Sequence, residues 1–242
     1  MIRLLSILSG MILFGYIIFA AVFFHNREQH TVCHDIQIVV KDSLEKHFVT
    51  QQDVISFLKR ANLNPIDKPM SEINTELIEN ELKKNEMIST IEAYKTPSGI
   101  VKLEIIQKLP VLRVITSTGS YYIDNQGSTM PVSDRYTAHV TVASGTIKRE
   151  FATNELFRFA SFLLQDDFWN NQIEQIYVHP NDDVELIPRV GNHRIYLGSF
   201  EGFEEKLDNL LLFYKQVIPK MGWEKYNMIN LKYKDQIVCT KK

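Results

Sequence analysis

Along this chain the hydrophobic positions keep two rhythms, and both begin only after a stretch that has no polar rhythm. From Leu4 to Phe24 there are 21 residues without a charge. A helix of that length rises ~30 Å, the thickness of the hydrocarbon layer of a bilayer, so the stretch reads as a transmembrane helix. A cleaved secretory signal has a shorter apolar core, roughly 7 to 15 residues, and a small-x-small exit. Here the exit is Ala20-Ala21-Val22-Phe23-Phe24-His25, which offers no such site. Arg3 lies on one side of the run and His25 and Arg27 on the other, so the charge rule leaves its orientation open.

The first part of the remaining chain reads strand, helix, helix, strand, strand. His34 to Val40 is β-branched and apolar, suited to a strand. Thr50-x-x-Asp53 is a capping box, and Val54, Phe57 and Leu58 follow it at helical spacing, predicting a helix to about Arg60. Asn74 caps a second helix carrying Leu77, Ile78 and Leu82, ending near Asn85. Ile88 to Lys95 and Ile100 to Lys108 flank Thr96-Pro97-Ser98-Gly99, a hairpin with Val101, Leu103 and Ile105 alternating. A three-stranded sheet with two helices on one face gives this part its own core.

Beyond Pro110 the strands become shorter and turn signals more frequent. Arg113–Thr118 and Ser120–Asp124 flank Gly119, and Asp124-Asn125-Gln126-Gly127 turns the chain again. Thr137 to Thr146 alternates valine and threonine like a half-buried strand. A helix is predicted from about Thr153 to Asp167, then strands at Ile173–Val178, Val184–Arg189 and His193–Leu197. A last helix, Phe203 to Ile218, stops before Pro219. Two strands, Asn227–Tyr233 and Gln236–Thr240, close the pattern around Lys234-Asp235. The fold class is α+β: one transmembrane helix, a β-α-α-β-β module, then a mainly antiparallel β domain with flanking helices. The implied segments are a tail at 1–3, the membrane helix at 4–24, a linker at 25–32, and domains at 33–109 and 110–242.

Charge excludes one class of partner. With 27 basic and 29 acidic residues and no block of either sign, nothing forms the basic stripe that nucleic acid requires. The two cysteines, Cys33 and Cys239, sit far apart in sequence and are expected as free thiols. Nucleotide, phosphate-loop, zinc-protease and serine-hydrolase motifs are missing. His25, His30, Cys33 and His34 have zinc-binding side chains, but straddling a membrane exit and a strand start they do not converge easily. Asp166-Asp167 and Asp182-Asp183 read as helix-end and turn residues, and Trp169 and Trp223 as packing aromatics. No catalytic residue, metal, cofactor or small-molecule substrate is expected, which leaves a binding protein whose affinity resides in surfaces and strand edges.

The order of elements resembles the bacterial FtsQ/DivIB cell-division family, whose first module is a POTRA domain. The stretches that carry the likeness are Leu77–Leu82, Ile88–Tyr94 and Val101–Ile105, then Tyr121–Gly127, Arg194–Gly198, Glu205–Leu207 and Ile229–Tyr233. Where that family closes its first module with Glu-Arg-x-Pro, this chain has Gln107-Lys108-Leu109-Pro110, keeping the proline and one base. Lys232 and Asn230 stand where the family has arginine and an acid. The resemblance implies a non-enzymatic divisome scaffold in the inner membrane at the septum, its soluble part periplasmic, binding the FtsB–FtsL pair. It further implies that the final strand takes a strand from FtsB through Tyr233, Gln236, Ile237, Val238 and Cys239. The alternatives are a membrane-tethered POTRA protein of transport or outer-membrane assembly, expected to show tandem POTRA copies or a barrel, and an anchored hydrolase, for which no nucleophile with its base is found.

Overall fold

The structure, a computed structural model, describes residues 10–19, 31–41, 48–234 and 236–242. Residues 10–19 are helical (α1) and exposed throughout. The rest of the apolar run lies outside the described residues, as do His25 and His30 of the metal candidates. Among the described residues no helix is long and apolar enough to cross a membrane. The chain divides into two compact units, Met1–Gln107 and Lys108–Lys242.

The first unit is built from β1 (Asp35–Lys41), α2 (Gln51–Arg60), α3 (Thr75–Leu82), β2 (Ile88–Lys95) and β3 (Ile100–Gln107). Thr50 and Asp53 form the capping box in full, each side chain accepting the other's backbone N–H, and Asn74 caps α3 through Leu77 N–H. The helix periodicity thus starts where the chain supplies its first acceptors. The sheet order is β1-β3-β2, with β1 parallel to β3 and β2 antiparallel to it. Leu103 and Ile105 of the central strand meet Ile38 and Val40 on one side and Ala93 and Ile91 on the other, and their face is covered by Val54, Leu58, Ile78 and Leu82, all buried. Gly99 closes the hairpin at φ +82°, where an added Cβ would stand 2.8 Å from the Val32 carbonyl oxygen, so turn and close approach both demand glycine. The amide oxygen of buried Gln107 accepts the Val49 N–H at 2.8 Å. That bond needs an acceptor and no charge, which suits glutamine where the FtsQ/DivIB pattern has an acid.

In the second unit the described strands form one mixed sheet of order β12-β11-β10-β9-β8-β7-β4-β5-β6. They are β4 (Pro110–Thr116), β5 (Gly119–Asp124), β6 (Thr129–Pro131), β7 (Thr141–Gly145), β8 (Ile173–Val178), β9 (Val184–Pro188), β10 (Arg194–Gly198), β11 (Tyr226–Asn230) and β12 (Val238–Lys241). Antiparallel neighbours outnumber parallel ones, but β4–β7, β7–β8 and β10–β11 run parallel. Each of the last two parallel pairs is separated in sequence by helices, as a crossover requires. After β7 come α4 (Arg149–Phe151), a π-helical segment (Ala152–Leu156), α5 (Phe157–Gln165) and α6 (Asp167–Gln172); after β10 come α7 (Phe203–Gln216) and α8 (Ile218–Met221). Phe159, Leu163, Leu207, Leu210 and Tyr214 of these helices share one apolar cluster with Val114, Ile176, Leu186, Ile195 and Ile229 of the strands. The side chains that alternate with them are mostly polar: Ser144, Tyr177, Glu185, Tyr196 and Asn230 form a row across five strands.

Several expectations shift. The strand predicted over 137–146 is shorter, β7 beginning at Thr141, because Ala138 N–H is taken by the Tyr122 hydroxyl at 3.2 Å instead of a ladder partner. The helix predicted to run to Asp167 stops at Gln165. Asp166, in extended conformation, caps a new helix by accepting from Phe168 and Trp169 N–H. Pro219 falls in the first turn of α8, where a missing N–H costs nothing, so the chain turns again instead of ending its helix.

Candidate partner-binding edge

β11 is short and central in packing terms: Ile229 is fully buried beneath α7, and Leu231, just beyond it, donates its N–H to the Tyr196 carbonyl at 2.8 Å. That bond pulls the chain toward β10 and away from β12. Asn230 helps by accepting the Lys232 N–H on its side chain at 2.9 Å, a local turn that ends the strand. The expected strand over Asn227–Tyr233 therefore stops at Asn230, and its partner begins only at Val238, paired with Asn230.

This places the five candidate site residues in two groups. Val238 and Cys239 lie in β12. Tyr233 follows β11, 53% exposed, while Gln236 and Ile237 are outside the strand and lie along α7. The expected strand over Gln236–Thr240 is corrected to Val238–Lys241, since the Leu231–Tyr196 bond splays the chain before residue 238 can pair. Gln236 and Ile237 instead line two grooves. One, of about 320 Å³, runs between Gly202, Glu205, Lys206 and Asn209 of the α7 region and Leu231–Tyr233. The other, of about 210 Å³, is more apolar in its side chains, with Leu212, Phe213 and Val217 of α7. Cys239 faces the helices and burial pushes its thiol pKa up, whereas Val238 points to the opposite face, 45% exposed.

β12 is hydrogen-bonded to β11 on one side, and among the described residues no strand pairs with its other side. Lys242 reinforces the ladder through its N–H on the Lys225 carbonyl and an ion pair with Glu224. The corner before β12 is held by a residue that sequence reading took for a turn former. Asp183 is 8% exposed and accepts from Tyr196 Oη at 2.7 Å, Asn181 Nδ2 at 2.9 Å and Lys232 Nζ at 3.0 Å. The Tyr196 hydroxyl, and then the Lys232 ammonium, hold its pKa below the ordinary carboxylate value, and the same bonds raise those of Tyr196 and Lys232. Lys206 is kept in the groove wall by the Leu197 and Ser199 carbonyls, and burial lowers its pKa. No signal short of the fold could have joined Asp183 to Lys232, 49 residues later.

Cys33 is buried and free, as Cys239 is free. Among the described residues no group of three or more His, Cys, Asp or Glu side chains is placed to hold a metal. Trp169 is core and Trp223 stacks on His193.

A three-stranded α+β module is followed by a mixed sheet in which, among the described residues, the outer side of β12 is unpaired. Residues 31–106 match the family model for the POTRA-like domain, and residues 109–240 that described as FtsQ/DivIB, C-terminal related. The chain belongs to the FtsQ/DivIB family. A search of curated proteins finds no match. Proteins of this family serve cell division through contacts with other division proteins, and they and POTRA-like domains are generally non-enzymatic.

Proposed function

We propose that this protein is a non-enzymatic scaffold of the division machinery, held in the inner membrane by Leu4–Phe24, with the POTRA-like domain and the sheet domain in the periplasm. Its partners are the FtsB–FtsL pair, and its role is to localise septal wall synthesis. The observation that carries the reading is the free edge of β12, beside grooves lined by Gln236 and Ile237. A partner strand added there gains its affinity from backbone hydrogen bonds, while Tyr233, Val238 and Cys239 of the edge and Gln236 and Ile237 of the grooves supply specificity. Prolines placed singly at Ile237, Val238 and Cys239 test it, because proline removes a donor wherever the N–H points outward. At least one should leave the domain folded and abolish capture of the FtsB-like partner. Unchanged affinity in every folded variant would move the site elsewhere.

Anchoring is supported by the character of α1. Met11, Ile12, Leu13, Phe14, Tyr16, Ile17, Ile18 and Phe19 are each at least half exposed, a display of apolar surface that lipid covers and water does not. Protease added to cells with a permeabilised outer membrane should degrade the protein, while the mature chain keeps its first residues. A soluble form beginning after Phe24 would overturn the anchor.

A further inference from the structure

Between the irregular stretch Thr137–Val140 and the end of α6, beside the first residues of β7 and β8, lies a groove of about 560 Å³. It crosses the sheet well away from β12: its lining runs from Arg113 on β4, past Thr141 and Val142 of β7 and Ile173 and Glu174 of β8, to Arg189 beyond β9. Three strand spacings separate its ends, about 14 Å.

Arg113 is held in place. Its Nε donates to Ser120 Oγ at 3.2 Å, and its guanidinium carbon sits 5.8 Å from the centre of the Tyr122 ring. Tyr122 is itself 1% exposed, its hydroxyl accepting the Ala138 N–H. Stacking and the Nε bond use up one edge of the guanidinium and leave its other donors as a fixed fork, the geometry that matches a carboxylate. Arg158 and Arg194 pair with Glu204 and Glu185. Among the described residues neither Arg113 nor Arg189 has an acidic partner, although Glu174 shares the groove with them. Two unneutralised arginines against one glutamate leave the groove cationic. Asn170 adds an amide that can bond a polypeptide backbone, whereas Asn171 Nδ2 already donates to the Asp167 carbonyl at 2.7 Å.

We infer that this groove is a second docking site, distinct from the β12 edge, which takes an extended acidic segment of a partner protein with a carboxylate in the Arg113 fork. A stretch of about four residues spans it at 3.3 Å per residue.

The test is selection from a library of linear peptides on the full-length protein in detergent micelles, followed by affinity measurement on the selected sequences. Selected peptides should share an aspartate or glutamate, and changing that residue to asparagine or glutamine should weaken binding at least tenfold. The double variant R113Q/R189Q should lose at least tenfold with near-ultraviolet circular dichroism unchanged. R113K should lose part of the affinity, because an ammonium cannot form the fork. If no peptide is selected, if binding is indifferent to the acid, or if R113Q/R189Q binds as before, the inference fails. Displacement by millimolar inorganic phosphate as readily as by an acidic peptide would also overturn it, marking a general anion site.

Discussion

His193 and Asp183 are both buried, at 2% and 8% exposed, yet their polar atoms are paired to very different extents. Asp183 has three side-chain donors, and they hold its carboxylate pKa below the ordinary range. His193 Nε2 bonds the Tyr214 hydroxyl at 2.7 Å, while among the described residues Nδ1 has no partner. It lies between the Tyr214 and Trp223 rings, and burial pushes its pKa down from the ordinary imidazole value. The folded state therefore binds a proton less readily than the unfolded one. Its contribution is whole above the unfolded pKa of about 6.5 and declines as pH falls through the window below it, by at most about 1.4 kcal/mol per pH unit. His193→Phe keeps a ring against Trp223 and removes the titration. Urea midpoints between pH 7.5 and 5 should fall more steeply for the wild type than for the variant, other titrating groups being common to both. Parallel curves would show that His193 is solvated or paired in solution.

At the scale of elements the decisive comparison is among sheet edges. Each edge of the POTRA-like sheet is met by a helix side chain: Gln51 Nε2 donates to the Ile38 carbonyl of β1 at 2.7 Å, and Glu79 accepts the Ala93 N–H of β2 at 2.7 Å. The far edge of the large sheet, β6, has three residues and ends in Pro131, which has no donor to offer. Among the described residues β12 has an outer side with neither cover nor proline, and the proposal of a partner site there rests on that. The elements themselves were largely legible in the sequence. The capping box at Thr50, the Thr96–Gly99 hairpin and the α7 stripe are local patterns, and local chemistry decides them. What the sequence hid was non-local. Whether β7 and β8 run parallel depends on how intervening helices cross, and Asp166 looks like the tail of one helix until its extended conformation makes it the cap of the next. The candidate site divides in the same way. Val238 and Cys239 alternate as a strand should, but Gln236 and Ile237 continue that pattern and still leave the sheet, because Leu231 has bonded to β10.

The whole molecule divides after Gln107, and the residues on the far side of that division show where a separable domain has to begin. Lys108 reaches Asp124 Oδ2 at 3.1 Å and the Thr129 carbonyl at 3.5 Å, and the Asp124 side chain is 2% exposed. Asp124 Oδ1 is satisfied by the Gln126 and Ser128 N–H groups, so the lysine supplies the counter-charge to the other oxygen. Leu109 accepts the Asn125 N–H, and Pro110 opens β4 opposite Asp124. These contacts join Lys108-Leu109-Pro110 to the Asp124–Gly127 turn inside one unit. The sheet domain should therefore unfold cooperatively by itself, since its helices and strands share one core. A fragment of residues 108–242 should be more stable than one of residues 111–242 by about 1–3 kcal/mol, the cost of leaving a buried acceptor without its charged donor. Urea denaturation of the two fragments measures the difference. Lys108→Met in the longer fragment should reproduce most of it, which separates the ion pair from the loss of Leu109 and Pro110. Equal midpoints for all three would show that Asp124 is satisfied by its turn alone, and a 108–242 fragment without any melting transition would show that the second unit needs the first in order to fold.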